Sequence, residues 1–219
     1  MKVSFINGSP KLGTSTSELM ITYLTPFMKE NEISIYNIRK MDLSEMQFGE
    51  ITRSEVLIFA FPLYVDSIPS HLLRFLVELE RRGFPNKNII VYSIINNGFF
   101  EGKQNHIASN QMKNWCKSVG LTWGQTIGVG AGEMLPYLKN ISLGQGPNKN
   151  IGRAVQQLAD NIMSKNTAKD LFVSPNWPRF LWKIQSSLYF WYPLGKKNGV
   201  KRSRLKEKVM DKEYDNKHF

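Results

Sequence analysis

The sequence holds one cysteine and three histidines in 219 residues. A single thiol, Cys116, excludes an internal disulfide and any cysteine-based metal site. It falls in a helical stripe with Ala108, Met112, Trp115 and Val119, where a buried small hydrophobe is expected. His71, His106 and His218 are scattered without ligand spacing, so no metal centre is expected. Long apolar runs are missing as well: none reaches the roughly 18 residues that span a bilayer. The most apolar stretch, Val56 to Val65, is broken by Pro62 and reads as a strand. No leader peptide is expected, since a polar loop begins at Asn7. These absences point to a reduced, cytoplasmic setting. Acidic residues are few, 18 against 29 basic ones, for a net charge of +11. The surplus is uneven: residues 171–219 hold eleven basic and four acidic side chains, so +7 of the charge lies there. The length suits one large domain, or one domain with an appendage, and can bury a core without staples.

Two nucleotide signatures are also absent, and this narrows the reading of the stretch around which the chain is organised. Residues 6–17, Ile-Asn-Gly-Ser-Pro-Lys-Leu-Gly-Thr-Ser-Thr-Ser, follow an apolar run, Lys2 to Ile6. They precede a helical stripe of Leu19, Met20, Tyr23, Leu24, Phe27 and Met28. A strand that ends in glycines and hydroxyls and then opens a helix leaves N–H donors, and the positive end of the helix dipole, at one spot. That is a phosphate site. Ser9, Thr14, Ser15, Thr16 and Ser17 add five hydroxyls where a simple cap needs one. Gly8 to Ser15 has the glycine spacing of a P-loop, but Thr14 stands where its lysine belongs, which argues against a triphosphate. The G-x-G-x-x-G fingerprint of dinucleotide folds is missing here too. A single phosphate held by hydroxyls and amides suits flavin mononucleotide, FMN.

Further along, strands and helices alternate. Glu32 to Ile38 reads as an exposed strand, and Met41 to Thr52 as a connecting segment. Glu55 to Phe61 and Asn88 to Ile95 read as central strands buried on both faces, and Leu121 to Val129 as the last strand. Helices are expected over Ser67 to Arg82, Gln104 to Val119 and Asn150 to Met163. This pattern predicts an α/β fold: a doubly wound parallel sheet of five strands in the order 2-1-3-4-5, with a C-terminal helical extension. Ligands of such folds bind beyond the carboxyl ends of the strands, near the switch point between strands 1 and 3. The loops found there are Pro62-Leu63-Tyr64-Val65-Asp66-Ser67-Ile68-Pro69 and Asn96-Asn97-Gly98-Phe99-Phe100-Glu101-Gly102. The first is stiffened by two prolines and carries an aromatic surface. The second offers amides to the edge of a heteroaromatic ring and a phenylalanine to its face. Residues 128–132, Gly-Val-Gly-Ala-Gly, read as a tight turn closing the sheet.

Three motifs carry a resemblance: Asn7-Gly8-Ser9-Pro10-Lys11 with the Thr14 to Ser17 run, Pro62-Leu63-Tyr64 with Ile68-Pro69, and Asn96-Asn97-Gly98. Over Met1 to Ser164 the chain resembles the flavodoxin-like NAD(P)H-dependent FMN reductase and quinone reductase superfamily. The resemblance implies that Ser9, Lys11, Ser15, Thr16 and Ser17 hold the FMN phosphate. It places Pro62, Leu63, Tyr64 and Val65 on one side of the flavin ring, and Asn96, Asn97, Gly98 and Phe99 on the other. It also implies an oxidoreductase that moves electrons from NADH or NADPH to a quinone, a flavin or another small acceptor. Tyr64 and Asn97 would lie nearest the reacting face, with no essential acid–base side chain. A homodimer or higher homo-oligomer is implied as well. The alternatives are a flavodoxin-type electron carrier without nicotinamide turnover, or a membrane-associated flavoprotein.

The expected boundary divides an FMN-binding domain, residues 1–166, from an aromatic and basic extension, residues 167–219. Asn176 to Tyr192 reads as a helix, capped by Asn176 and ended by Pro193 and Gly195. A basic run, Gly195 to Lys208, follows. Aromatic residues beside a basic flank fit packing on the body, a dimer contact or a peripheral membrane contact. They fit a nucleic-acid arm less well.

Overall fold

The computed structural model describes residues 1–40 and 42–207. Contacts divide the chain into two units, Met1–Asn176 and Trp177–Phe219. The expected boundary after residue 166 therefore falls short of this division.

In the first unit the strands are β1 (Lys2–Asn7), β2 (Glu32–Asn37), β3 (Val56–Pro62), β4 (Ile90–Asn96), β5 (Thr122–Val129) and β6 (Leu171–Val173). The helices are α1 (Thr16–Leu24), α2 (Glu45–Thr52), α3 (Ser70–Arg82), α4 (His106–Val119) and α5 (Lys149–Met163). All strands pair in parallel in the order β2-β1-β3-β4-β5-β6. The expected order of the first five holds, but the sheet has six strands, not five. β6 is three residues long and half-buried, too short for any periodicity to mark it. It pairs Ile127 with Leu171 and Val129 with Val173.

Alternation along each strand feeds two cores. Val3 and Phe5 of β1 and Val56, Ile58 and Ala60 of β3 pack against α1 and α5. Ile6 of β1 and Leu57, Phe59 and Phe61 of β3 face α2, α3 and α4 on the other side. Strands buried on both faces read as unbroken apolar runs, which is why β3 and β4 were visible in the sequence. Cys116 is 1% exposed within the second of these cores, and burial pushes its thiol pKa up.

α2 occupies part of what reads in the sequence as a connection. It has only Phe48 and Ile51 as large buried apolar side chains and a glycine, Gly49, in its middle. Its cap was the legible signal: Ser44 Oγ accepts from the Gln47 N–H while the Gln47 side chain accepts from the Ser44 N–H.

Asp170 joins β6 to the sheet. Its carboxylate accepts from Ser109 Oγ at 2.6 Å, from the Thr126 N–H at 3.0 Å and from Trp123 Nε1 at 3.3 Å, and pairs with Lys113 at 2.9 Å. The glycine run 128–132 serves close packing: a Cβ on Gly130 would strike the Phe100 carbonyl.

Candidate functional site

β1 delivers the first loop to the carboxyl edge of the sheet. Asn7 shapes the turn: its Oδ1 accepts from the Ser9 N–H at 3.1 Å, and its Nδ2 donates to Asn37 Oδ1 at 2.8 Å. The Gly8 N–H donates to Ala60 O at 2.9 Å. Gly13 then takes φ +79°, a left-handed conformation that a side chain would strain. Ser15 caps α1, accepting from the Glu18 N–H at 3.1 Å. In the first turn, the Thr16 and Ser17 N–H groups have no carbonyl four residues back to bond. These donors and the helix dipole converge on one spot.

The hydroxyls divide by role. Ser9 Oγ accepts from the Lys11 N–H at 3.3 Å and Ser15 Oγ accepts from Glu18, so each keeps its own O–H to give. Thr16 Oγ1 donates to Gly132 O at 3.0 Å and is committed. Ser17 is 1% exposed and its Oγ accepts from Asn96 Nδ2 at 3.0 Å. Thr16 and Ser17 thus bind the first loop to its neighbours through their side chains and offer backbone N–H groups. Lys11 is exposed at the loop tip.

His71 of α3 supports this loop from below. Its Nε2 lies 3.1 Å from Gly8 O. A carbonyl only accepts, so Nε2 carries the proton. Burial lowers the His71 pKa, the Gly8 carbonyl opposing it in part, which keeps the ring neutral at pH 7.

The second loop starts with the Leu63 N–H donating to Asn96 O at 2.7 Å. Tyr64 and Ser67 then exchange both backbone hydrogen bonds, at 3.0 and 2.9 Å, across Val65 and Asp66. Those two residues take φ +48° and +55°, the paired left-handed geometry of a type I′ turn. For valine, β-branched and here 99% exposed, this conformation is strained and no packing offsets it. Gln111 of α4 pins the turn from behind: its Oε1 accepts from the Ile68 N–H at 3.1 Å, and its Nε2 donates to Ser67 Oγ at 2.9 Å.

Asn96 and Asn97 join the third loop to the rest. Asn96 Nδ2 also reaches Phe61 O at 3.2 Å. Asn97 exchanges backbone bonds with the turn after β5: its N–H donates to Val129 O at 3.0 Å and its carbonyl accepts from Gly132 at 2.7 Å. The Asn97 side chain is 4% exposed; its Nδ2 donates to Glu101 O at 3.2 Å while its Oδ1 is buried without a partner. A buried, unpaired acceptor is costly unless a ligand donor meets it. Tyr64 and Phe99 are about half exposed, at 48% and 56%.

The structure therefore brings all three motif loops to one sheet edge and laces them through Asn96, Ser17 and Thr16. The sequence reading missed three participants. His71 and Gln111 lie on helices remote in sequence, and neither is marked by a local motif. The loop after β5 reads in the sequence only as a turn, yet its Gly132 contacts both Thr16 and Asn97. A separate groove of about 630 Å³ runs beside α1 and edge strand β2, floored by Ile21, Pro26, Ile33 and Ile35. It meets the site at Asn7, Glu18 and Asn37.

No protein-family model matches the sequence, and no curated protein matches it. Solved structures do match. A flavodoxin from Streptococcus pneumoniae TIGR4 aligns over 74% of this chain and 99% of its own, with a TM-score of 0.54 and 11% identity. An NAD(P)H:quinone oxidoreductase from Methanothermobacter marburgensis aligns over 74% and 97%, with a TM-score of 0.53 and 14% identity. An azoreductase from Bacillus anthracis str. Sterne aligns over 75% and 99%, with a TM-score of 0.52 and 14% identity. At these identities the likeness establishes the fold: the first unit is flavodoxin-like, with a sixth strand added.

Proposed function

We propose that the chain is an FMN-dependent oxidoreductase that takes electrons from NADH or NADPH and passes them to a quinone, a flavin or another small acceptor. The observation that carries this reading is the junction of three loops at the start of α1, with the Asn97 carboxamide oxygen buried and unpaired beside it. The residues present suit FMN. The Thr16 and Ser17 N–H groups, the Ser9 and Ser15 hydroxyls and the Lys11 ammonium would hold a phosphate. Pro62, Leu63, Tyr64 and Val65 would line one side of the ring, and Asn96, Asn97, Gly98 and Phe99 the other. Asn97 Oδ1 would accept from a ring N–H. Bound FMN would supply hydride acceptance and electron transfer, which no side chain of this site can perform.

The remaining groups position rather than react. His71 spends its one N–H on Gly8, so it supports the loop instead of moving a proton. Tyr64 and Phe99 would shield the ring from water while leaving one approach for a planar partner. The quinone reductase and azoreductase folds support the enzymatic reading. The flavodoxin fold supports a second one, an FMN electron carrier. Residues 1–170, with 18 basic and 14 acidic side chains, are themselves slightly positive, which favours the first, because an anionic nicotinamide cofactor is drawn to positive charge.

The experiment is direct. Purified protein is mixed with FMN, freed of excess, and its spectrum recorded. Bands near about 375 and 450 nm, expected of any bound flavin, support the site; their absence refutes it. Anaerobic NADH or NADPH should then bleach the band near about 450 nm. A holoprotein that neither cofactor bleaches is a carrier.

A further inference from the structure

Trp177 opens the second unit. Its described part is α6 (Arg179–Ser186), a π-helical turn (Ser187–Trp191), α7 (Tyr192–Lys197) and a 3-10 turn (Arg202–Arg204). The expected helix of residues 176–192 is displaced. Its first hydrogen bond runs from the Trp182 N–H to Pro178 O, while Asn176 Nδ2 donates to Gly146 O instead of capping. At the other end the helix passes through Pro193 and Gly195. The wide turn explains this: the Tyr192 N–H donates to Ser187 O, five residues back. The shifted register accommodates a proline, which has no N–H to give. Beyond the helix the basic segment folds back. Leu205 packs where a Cβ on Gly195 would lie 2.8 Å from it, and the Arg202 guanidinium sits 4.0 Å from the centre of the Tyr192 ring.

This unit has two further surface properties. Phe180, Ile184, Leu188 and Trp191 form a stripe at i, i+4, i+8 and i+11, exposed at 64%, 51%, 48% and 55%. Four large apolar side chains in one row mark a surface that something covers. No acidic residue occurs between Asp170 and Glu207, while eight basic ones do. Six of these, Lys196, Lys197, Lys201, Arg202, Arg204 and Lys206, follow the stripe directly.

We propose that this unit docks on an anionic lipid bilayer surface, with the stripe at the level of the acyl boundary and the basic end on lipid phosphates. The charge selects the occupant. A second copy of this unit would set a net charge of +7 against +7, each with eleven basic and four acidic residues. A nucleic acid would meet the charges and leave Ile184 and Leu188 in water. An anionic bilayer meets both requirements, and tryptophan and tyrosine suit its interface. Among the described residues no helix is long and apolar enough to cross a membrane, so the unit lies on the surface.

The test uses the full chain without flavin, so its outcome is independent of the FMN reading. Protein is sedimented with vesicles of phosphatidylcholine, alone or mixed with phosphatidylglycerol, and tryptophan emission is followed. Binding to the mixed vesicles, with a blue shift and a loss of binding at high salt, is expected. Ile184→Glu with Leu188→Glu should abolish it. Lys196→Gln with Lys197→Gln should weaken it roughly 30-fold at low salt. All four positions are exposed, so circular dichroism should be unchanged in both variants. Equal binding to neutral vesicles, or no vesicle binding, overturns the proposal. So does vesicle binding that neither variant alters. A dimer broken by the glutamate pair without vesicle binding, or DNA binding that this pair leaves intact without vesicle binding, also overturns it.

Discussion

His71 and Asp170 are partly buried titratable groups whose protonation is tied to the fold. For His71 the folded pKa lies below the ordinary 6.5 because burial disfavours the cation. The unfolded chain then binds the proton more readily, so stability is full above about pH 6.5 and is lost as pH falls from there through the folded pKa. The melting temperature should drop as pH falls below about 6.5. His71→Gln, which keeps a donor but cannot charge, should flatten that part of the curve. Burial alone would raise the Asp170 pKa, but hydrogen bonds from Ser109, Lys113 and the Thr126 N–H, with the Lys113 charge, together hold it below the ordinary 3.8. Its contribution is present above that value and fades as pH falls through the lower folded pKa. Asp170→Asn should cost about 2–3 kcal/mol, read from the urea midpoint at neutral pH. Neither residue was legible beforehand: nothing in the sequence ties Asp170 to Ser109, or His71 to Gly8.

The Val65–Asp66 turn is the element under most conformational strain, since two adjacent side-chain-bearing residues hold positive φ. Val65 is exposed, so exchanging it costs no packing. Val65→Asn, a residue that tolerates this geometry, should raise stability by about 1 kcal/mol, measured as a higher melting temperature. The start of α1 offers a complementary case. Ser15→Ala removes the cap and should cost about 1 kcal/mol. On the FMN reading it should also weaken flavin binding roughly tenfold by titration, because one hydroxyl donor is lost. Helices α1, α3, α4 and α5 were readable because each carries a long apolar stripe. α2 has two buried apolar anchors and a glycine, and β6 has three residues, so propensity and period had too little chain to act on.

At the scale of the molecule, mass action links the site to stability. FMN at about 100 times its dissociation constant should stabilise the first unit by about 2.7 kcal/mol, seen as a dose-dependent rise in melting temperature. The flavodoxin-like sheet explains how loops from Gly8, Pro62 and Asn96 meet: parallel strands all end at the same edge. The positive charge, by contrast, sits mainly beyond residue 170 and belongs to a second unit with its own hydrophobic stripe.

Local order was determined by the sequence alone. Apolar runs set the central strands, helical stripes set the long helices, and glycines with hydroxyls marked the loop before α1. These signals depend on neighbours a few residues apart. Only the tertiary structure decided which hydroxyls remain available, because Thr16 and Ser17 are claimed by Gly132 and Asn96, far along the chain. It also decided that Asn97 keeps a buried oxygen unpaired, that Asp170 fastens a sixth strand, and that the C-terminal helix continues through Pro193. Each of these follows from contacts that exist only once distant segments are packed together, or from a hydrogen-bond register that composition does not encode.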